Sequence, residues 1–236
     1  MTTTSSVFAQ RIARAQATLR ALDLAACLVP SSDPHLSEYL PERWQGRQWL
    51  SGFTGSMGTL VVTRSRAALF ADSRYWTQAE TELTGSGIEL VKIDTGASTQ
   101  HIDWLAQHVG TGQSVGVDGM VLSLSAAQLL RQALTKVGAT LRTDVDVLAH
   151  IWPDRAGLPD QPVYEHQAPH ACTPRQAKLA RVRAAMADQG AAHHFVSTVD
   201  DIAWLFNLRG ADVPYNPVFL AHALITADQA TLFVAD

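Results

Sequence analysis

A pattern that occurs twice in the chain constrains the fold more than any other feature. Each copy has an amphipathic stretch typical of a helix, a short apolar strand, and two apolar runs separated by a polar turn, which is the pattern of a β-hairpin. The hairpins are predicted at residues 59–63 with 67–71, and at residues 219–226 with 231–235. They also end alike, in Ala68-Leu-Phe-Ala-Asp72 and Thr231-Leu-Phe-Val-Ala-Asp236. We therefore predict two related α/β units, although two ordinary units could agree by chance.

The two copies differ after the hairpin. Beyond Asp72 the first copy continues with a predicted helix at residues 74–83, a strand at 88–93 and further alternating helices and strands. Alternation over some 140 residues predicts a mixed sheet flanked by helices, because the hairpin forces one antiparallel pair. The second copy stops at Asp236, where its strand ends, so we predict that the second unit is incomplete.

Proline marks the expected boundary between the units. Five of the ten prolines fall between Trp152 and Pro174, which is typical of a stiff extended connection. We predict a first domain at residues 1–158, a proline-rich linker at 159–173, and the start of a second, truncated domain at 174–236.

Composition excludes several classes of protein. A net charge of −4 and a pI near 6.1 argue against nucleic acid as a partner, since phosphate binding requires a basic face. No apolar run approaches the roughly 18 residues of a membrane span. Two cysteines provide no disulfide framework and favour a reducing compartment. The acid-free N-terminus is predicted to be a helix capped by Ser5 or Ser6 rather than a transit peptide.

Known catalytic motifs do not fit the polar residues. The glycines of residues 52–58 have the wrong spacing for a phosphate loop, and Ser56 lacks the preceding glycine of a hydrolase nucleophile elbow. His193 and His194 would point to opposite faces of a strand, so they cannot easily share a metal. Asp200 and Asp201 could be metal ligands, but a helix cap is the favoured interpretation.

Arg74 is a possible binding residue, although from the residues alone a surface arginine is the favoured interpretation. It comes directly after a predicted strand end and precedes Tyr75 and Trp76, where a guanidinium could be held to meet a carboxylate or carbonyl group. A solvated surface arginine is the plainer alternative. Asp72 is expected to cap the next helix, and residues 207–216 are expected to form an ordered, packed connection.

Several segments, in order along the chain, resemble the three-domain proline-specific aminopeptidases, the Xaa-Pro aminopeptidase P family of the creatinase-like "pita-bread" metallopeptidases. They are Ser37-Glu-Tyr39, residues 49–59 (WLSGFTGSMGT), Phe70-Ala-Asp-Ser-Arg-Tyr75, Val115-Gly-Val-Asp118, Ile151-Trp-Pro-Asp-Arg155, residues 201–210 (DIAWLFNLRG) and Asn216-Pro-Val-Phe219. The sequence departs from the family at Thr54, where Asp is usual, and at Ser73, where Gly is usual.

The resemblance implies a fold, an activity and a role for Arg74. It implies two related creatinase-N-terminal-like domains that precede a catalytic domain, in which two divalent ions, usually manganese, generate the hydroxide that cleaves the bond before proline. None of those metal ligands can be placed in this sequence, so the fragment alone is predicted to be inactive. The arginine matching Arg74 binds the substrate peptide, and homodimers are common in the family.

We therefore predict the non-catalytic N-terminal part of a cytoplasmic Xaa-Pro aminopeptidase, which acts on peptides with proline at the second position and limits access to the catalytic cleft. One alternative is a stand-alone binding or scaffold module of the same fold without peptidase activity. Another is a different creatinase-like hydrolase that shares only these domains, in which Arg74 would matter less.

Overall fold

The chain forms two compact units in a computed structural model that describes residues 6–234. The first unit contains the described residues up to Pro34 together with Arg43–Ala156. The second contains His35–Glu42 and the described residues from Gly157 onward. Within the described residues, no helix combines the length and the apolar character needed to cross a membrane.

The first unit is built on a six-stranded mixed sheet with the strand order β4-β3-β2-β1-β5-β6. Only β2 runs against the other five strands, because it is antiparallel to both β1 and β3, and the remaining pairs are parallel. The strands are β1 (Ala26–Pro30), β2 (Thr59–Thr63), β3 (Ala67–Asp72), β4 (Glu89–Ile93), β5 (Ser114–Gly116) and β6 (Thr140–Arg142).

Helices cover both faces of this sheet, which explains why β3 is buried along its whole length. The helices are α1 (Val7–Ala21), α2 (Gly46–Ser51), α3 (Trp76–Glu82), α4 (Gln100–His108), α5 (Leu124–Lys136) and α6 (Leu148–Ile151). Leu69 packs in one core with Leu19 of α1, and its neighbour Phe70 packs in the other with Leu105 of α4 and Leu130 of α5. Successive side chains of a strand point to opposite faces, so one strand serves both cores.

The second unit has a smaller, antiparallel three-stranded sheet with the order β11-β10-β8. A separate two-stranded pair joins β7 to β9. The elements of the second unit are β7 (Tyr164–Glu165), α7 (Arg175–Asp188), β8 (His194–Val196), α8 (Val199–Phe206), β9 (Leu208–Arg209), β10 (Ala221–Ile225) and β11 (Ala230–Val234). One sheet face forms the core with Ile202 and Phe206 of α8.

The other face of the second sheet is largely open. Phe195 lies opposite Leu224 in the strand register, and Phe233 lies opposite His222. Phe195 is 60% exposed and Phe233 is 52% exposed. Phe70, the counterpart of Phe233 in the predicted repeat, is only 1% exposed, because α4 and α5 cover its face of the first sheet.

Both predicted hairpins are confirmed, as is the mixed sheet flanked by helices. Ser6 caps α1, accepting the Ala9 N–H at 3.1 Å; Ser5, Ala235 and Asp236 lie outside the described residues. Part of the predicted linker is ordered, since Tyr164–Glu165 pairs with Leu208–Arg209. The predicted domain boundaries stay a prediction.

Three local predictions were wrong or incomplete. Asp72 does not cap α3, because Tyr75 occupies the cap position and the Asp72 carboxylate bonds Arg74 instead. Asp200 and Asp201 lie inside the first turn of α8, with Thr198 at its cap, where their charge suits the positive end of the helix dipole. Helix α2 was missed, because it is short and its Trp and Gly residues indicate a turn.

Candidate functional site

The Arg74 region lies at the carboxyl edge of the first sheet. β1, β3 and β4 run in the same direction and end at Pro30, Asp72 and Ile93. Ligands of open α/β sheets commonly bind outside the carboxyl ends of the strands. Arg74 stands two residues beyond the end of β3, so the fold places it where a binding group is expected.

A buried carboxylate orients the Arg74 guanidinium. Asp72 Oδ1 accepts from the Arg74 backbone N–H at 3.1 Å and from Nε at 3.0 Å, while Oδ2 accepts from a terminal guanidinium nitrogen at 2.8 Å. The Asp72 side chain is 4% exposed, whereas that of Arg74 is 62% exposed. The bonds from Arg74 lower the pKa of Asp72. The result is an anchored but accessible cation, suited to a carboxylate or carbonyl group.

The glycine-rich loop at residues 52–58 supports this cation through Tyr75. The Arg74 guanidinium lies 5.1 Å from the centre of the Tyr75 ring. The Tyr75 hydroxyl is 2.7 Å from Ser56 Oγ, and its ring packs edge-on against Phe53. A side chain at Gly55 would meet both rings, with its Cβ 2.3 Å from Phe53 and 2.8 Å from Tyr75. Gly55 is therefore required by close packing.

The buried Arg47 side chain holds the same loop in place through hydrogen bonds to its backbone. It is 6% exposed and donates hydrogen bonds to the carbonyl oxygens of Phe53 (2.9 Å) and Gly55 (2.5 Å) and to Ser31 Oγ (2.6 Å). Burial lowers the pKa of Arg47 to about 10. Sequence reasoning missed this residue, because an arginine in a short polar stretch is normally a surface residue.

The two departures from the family pattern have different structural settings. Thr54 donates its backbone N–H and its hydroxyl to the Glu82 carboxylate, at 2.8 and 2.7 Å. Burial by itself raises the pKa of Glu82. The hydrogen bonds from Thr54 and Gln78 outweigh this effect, so the pKa of Glu82 lies below its usual value. An Asp at position 54 would place a second carboxylate there. Ser73 is not among the described residues with positive φ, so the turn before Arg74 does not need glycine.

A cleft adjoins the Arg74–Asp72 pair. Pro30, Asp72 and Ile93 line it at the strand ends, with Met57, Gly96 and His101 from neighbouring segments. Gly96 keeps the cleft open beside the pair, because a Cβ there would lie 3.3 Å from Asp72 Oδ2 and 3.0 Å from Met57 Cε. Burial lowers the pKa of His101, which favours the neutral imidazole. The cleft is thus lined mostly by neutral groups together with the Asp72 carboxylate, which pairs with Arg74 beside it.

The other polar candidates belong to the second unit. His193 and His194 are exposed in the second unit, and the carboxylates of Asp200 and Asp201 occupy the first turn of α8. Across residues 6–234, no group of three or more His, Cys, Asp or Glu side chains is arranged to hold a metal ion. The connection at residues 207–216 is ordered, with Val213 buried in the second core.

A mixed sheet with helices on both faces defines a domain of the α/β class. Two family models match the chain, over residues 11–150 and 154–236, and both describe the creatinase/prolidase N-terminal domain. The chain therefore belongs to the creatinase/prolidase N-terminal domain family. The resemblance found in the motifs is confirmed.

Relatives of this chain include named peptidases. It is 37% identical over 229 residues to a probable Xaa-Pro aminopeptidase P of Talaromyces marneffei, covering 96% of this chain and 35% of the relative. It is 38% identical over 212 residues to Aminopeptidase P2 of Arabidopsis thaliana, covering 89% and 30%. Each match spans about a third of the relative's length.

A solved structure extends the match to the fold. The crystal structure of X-prolyl aminopeptidase from Caenorhabditis elegans, described as a cytosolic enzyme with a di-nuclear active site, aligns with a TM-score of 0.88 at 27% identity. The alignment covers 98% of this chain and 39% of that one.

Proposed function

We propose that this chain is the N-terminal, non-catalytic part of a metal-dependent Xaa-Pro aminopeptidase, which removes an N-terminal residue that precedes proline. The observation that carries this proposal is the extent of the match. A probable Xaa-Pro aminopeptidase P aligns with 96% of this chain, while the chain spans 35% of that relative. The remaining two thirds of such a protein would hold the catalytic domain.

The metal centre is proposed to lie in that catalytic domain. The worm relative is described as having a di-nuclear active site, which supports two metal ions in the complete protein. Manganese is proposed for both ions. The residues described here do not fit such a centre, since no three metal-binding side chains among residues 6–234 cluster suitably. The contribution of this chain would be the binding and selection of substrate.

Arg74 is the proposed substrate-binding residue. Its guanidinium is anchored by Asp72 and accessible at the carboxyl edge of the sheet, so it can bind a peptide carbonyl or carboxylate group. The bulk of the two units would narrow the approach to the catalytic cleft and admit thin peptide ends. Both roles require the complete protein.

Peptidase assays test this function directly. The complete gene product and the 236-residue chain would each be incubated with a peptide that has proline at the second position, and with one that has alanine there. We expect the complete protein to cleave only the proline peptide, and only with divalent metal present. The chain alone should cleave neither. Equal cleavage of both peptides would contradict the assignment, and would favour another creatinase-like hydrolase.

A stand-alone binding module is the competing proposal, and the intact mass of the native gene product separates the two. A mass far above 25.5 kDa would support the peptidase, and a mass near 25.5 kDa would support the module.

For the peptidase we further propose a cytoplasmic homodimer. Light scattering of the complete protein and fractionation of the source cells would check the dimer and the location.

A further inference from the structure

A basic cleft lies between α1, α2 and the residues that follow α6, all within the first unit. Arg11 and Arg14 of α1 line it together with Trp49 and Trp152. Its volume is about 160 Å³, which is ample for a small oxyanion and several water molecules, since one water takes roughly 30 Å³ in the liquid. We call it the α1 cleft. It shares no described lining residue with the Arg74 cleft, and the proposed peptidase function does not account for it.

Stacked aromatic rings hold the Arg11 guanidinium at the wall of the α1 cleft. The guanidinium lies 4.2 Å from the centre of the Trp49 ring, and one of its terminal nitrogens donates to the Trp49 carbonyl oxygen at 2.6 Å. The Trp49 ring stacks on that of Trp152, with 4.9 Å between their centres and 12° between their planes. Trp152 is buried in the core of the first unit. Arg11 is therefore held in place before any ligand binds, which lowers the entropic cost of binding.

Arg14 places a second positive charge beside the first. It lies three residues after Arg11 on α1, and residues at this spacing are neighbours on a helix surface. Arg11 is half-buried, whereas Arg14 is exposed. Burial lowers the pKa of Arg11, and the charge of Arg14 lowers it further. Arginine nevertheless stays protonated in proteins, so two like charges face each other here.

The described residues do not compensate these two charges. Across residues 6–234, no carboxylate forms an ion pair with Arg11 or Arg14. The first turn of α1 contains no acidic residue, so the positive end of the helix dipole adds to the same potential. Asp154 also lines the α1 cleft, from an exposed position. The adjacent pair of cations is left to attract an anion from solution.

We propose that the α1 cleft binds a phosphate group in its doubly charged form, either as inorganic phosphate or as the phosphate of a small monoester. Arg11 and Arg14 both donate to its oxygens, because the planar guanidinium group matches the geometry of phosphate oxygens. A dianion neutralises both guanidinium groups, whereas a carboxylate or a phosphodiester has only one charge.

NMR titration of the ¹⁵N-labelled 236-residue chain tests the charge of the ligand. The Arg11 Nε–H resonance, identified by its loss in Arg11→Lys, reports on the site. Methyl phosphate is the probe, because its second pKa is about 6 and it is mostly a dianion at about pH 7.5. Dimethyl phosphate is similar in shape but has a single charge. We expect a saturable shift with methyl phosphate, and binding at least about fivefold weaker for dimethyl phosphate.

Inorganic phosphate in a parallel titration separates the two sources of the phosphate group. Binding at least as tight as that of methyl phosphate would assign the free ion as the ligand. Weaker but saturable binding would assign a monoester, whose organic part then contacts the cleft.

Charge variants test the location. Arg14→Gln should weaken binding of methyl phosphate about fivefold, whereas Arg20→Gln, on the same helix but outside the α1 cleft, should leave it unchanged. Asp154→Asn should tighten binding, because it removes a like charge from the cleft. All three positions are exposed, and unchanged tryptophan indole resonances would show that each variant is folded. The proposal is overturned if the shift with methyl phosphate does not saturate, if both methyl esters bind equally, or if Arg14→Gln binds methyl phosphate like Arg20→Gln.

Discussion

At the scale of single residues, two Asp–Arg pairs have the same charges but differ in burial. Asp72 bonds Arg74 two residues later, and Asp144 bonds Arg142 two residues earlier, at closest distances of 2.8 and 2.7 Å. Asp72 has a side chain that is 4% exposed, whereas that of Asp144 is 67% exposed. Exposed pairs contribute little because water and salt screen them. Of these two pairs, the Asp72 pair is therefore the one expected to fix a guanidinium in one orientation.

Arg74→Ala in the complete protein should weaken peptide binding. Loss of a charge-assisted contact costs about 1.5–3 kcal/mol, which corresponds to a fall in kcat/KM of roughly 10- to 150-fold. Steady-state kinetics on a proline peptide measure the change. The matched control is Arg66→Ala, which removes an exposed arginine just before β3 that pairs with Glu89. Kinetics of Arg74→Ala that match those of Arg66→Ala would remove the assignment.

Asp72→Asn should lower stability in a pH-dependent way. The pKa of Asp72 is lowered in the folded state, so its contribution is complete above the unfolded pKa of about 3.9 and disappears as pH falls through the folded pKa. At neutral pH we expect a loss of about 1–2 kcal/mol, since the guanidinium is partly screened.

Urea unfolding at a series of pH values measures this loss, with Asp144→Asn as the control. The stability difference between the parent and Asp72→Asn should shrink as the solution is acidified below about pH 4. Asp144→Asn should change stability little throughout. A difference for Asp72→Asn that stays constant down to strongly acidic pH would contradict the proposed ion pair.

At the scale of secondary-structure elements, a buried lysine joins α7 to the end of α8. Lys178 is 5% exposed, and its Nζ donates to the carbonyl oxygen of Trp204 at 2.6 Å and to Asn207 Oδ1 at 2.5 Å. Asn207 ends α8 in the left-handed region, with φ at 52°, and donates to the Thr173 carbonyl oxygen. Burial lowers the pKa of Lys178.

Lys178→Met should destabilise the second unit, because it removes one donor to the Trp204 carbonyl oxygen and leaves the buried Asn207 Oδ1 without the ammonium that donates to it. The expected loss is about 1–3 kcal/mol. Arg181→Met is the matched control, since Arg181 is exposed on the same helix and its replacement should stay within about 0.5 kcal/mol. Chemical denaturation followed by Trp fluorescence measures both. Equal effects of the two variants would show that the lysine network adds no stability.

At the scale of the whole molecule, folding of this chain should not depend on metal. Both units have apolar cores that can stabilise them without a metal ion. EDTA should leave the thermal unfolding midpoint of the 236-residue chain unchanged, and it should abolish the proposed peptidase activity of the complete protein. A chelator-induced fall in that midpoint would place a metal site within this chain.

Local periodicity determined the secondary structure that could be predicted from sequence. Both hairpins, the helix capped by Ser6 and the mixed sheet arise from apolar spacing and turn residues, which act between near neighbours. Arg74 was a candidate for the same reason, because its position after a strand end is visible in the sequence. Its function is still a proposal.

Tertiary contacts decided the features that sequence reasoning missed or misassigned. Arg47 and Lys178 are buried because carbonyl or side-chain oxygens outside their own helices accept their hydrogen bonds, and no periodic pattern reveals those acceptors. Packing also decided how exposed the two matching phenylalanines of the repeat are. Phe70 is covered by two helices, whereas Phe233 is half exposed. The sequence by itself determined which elements form. Only the tertiary structure decided which charges are buried and which faces are covered, because both depend on groups far apart in the chain.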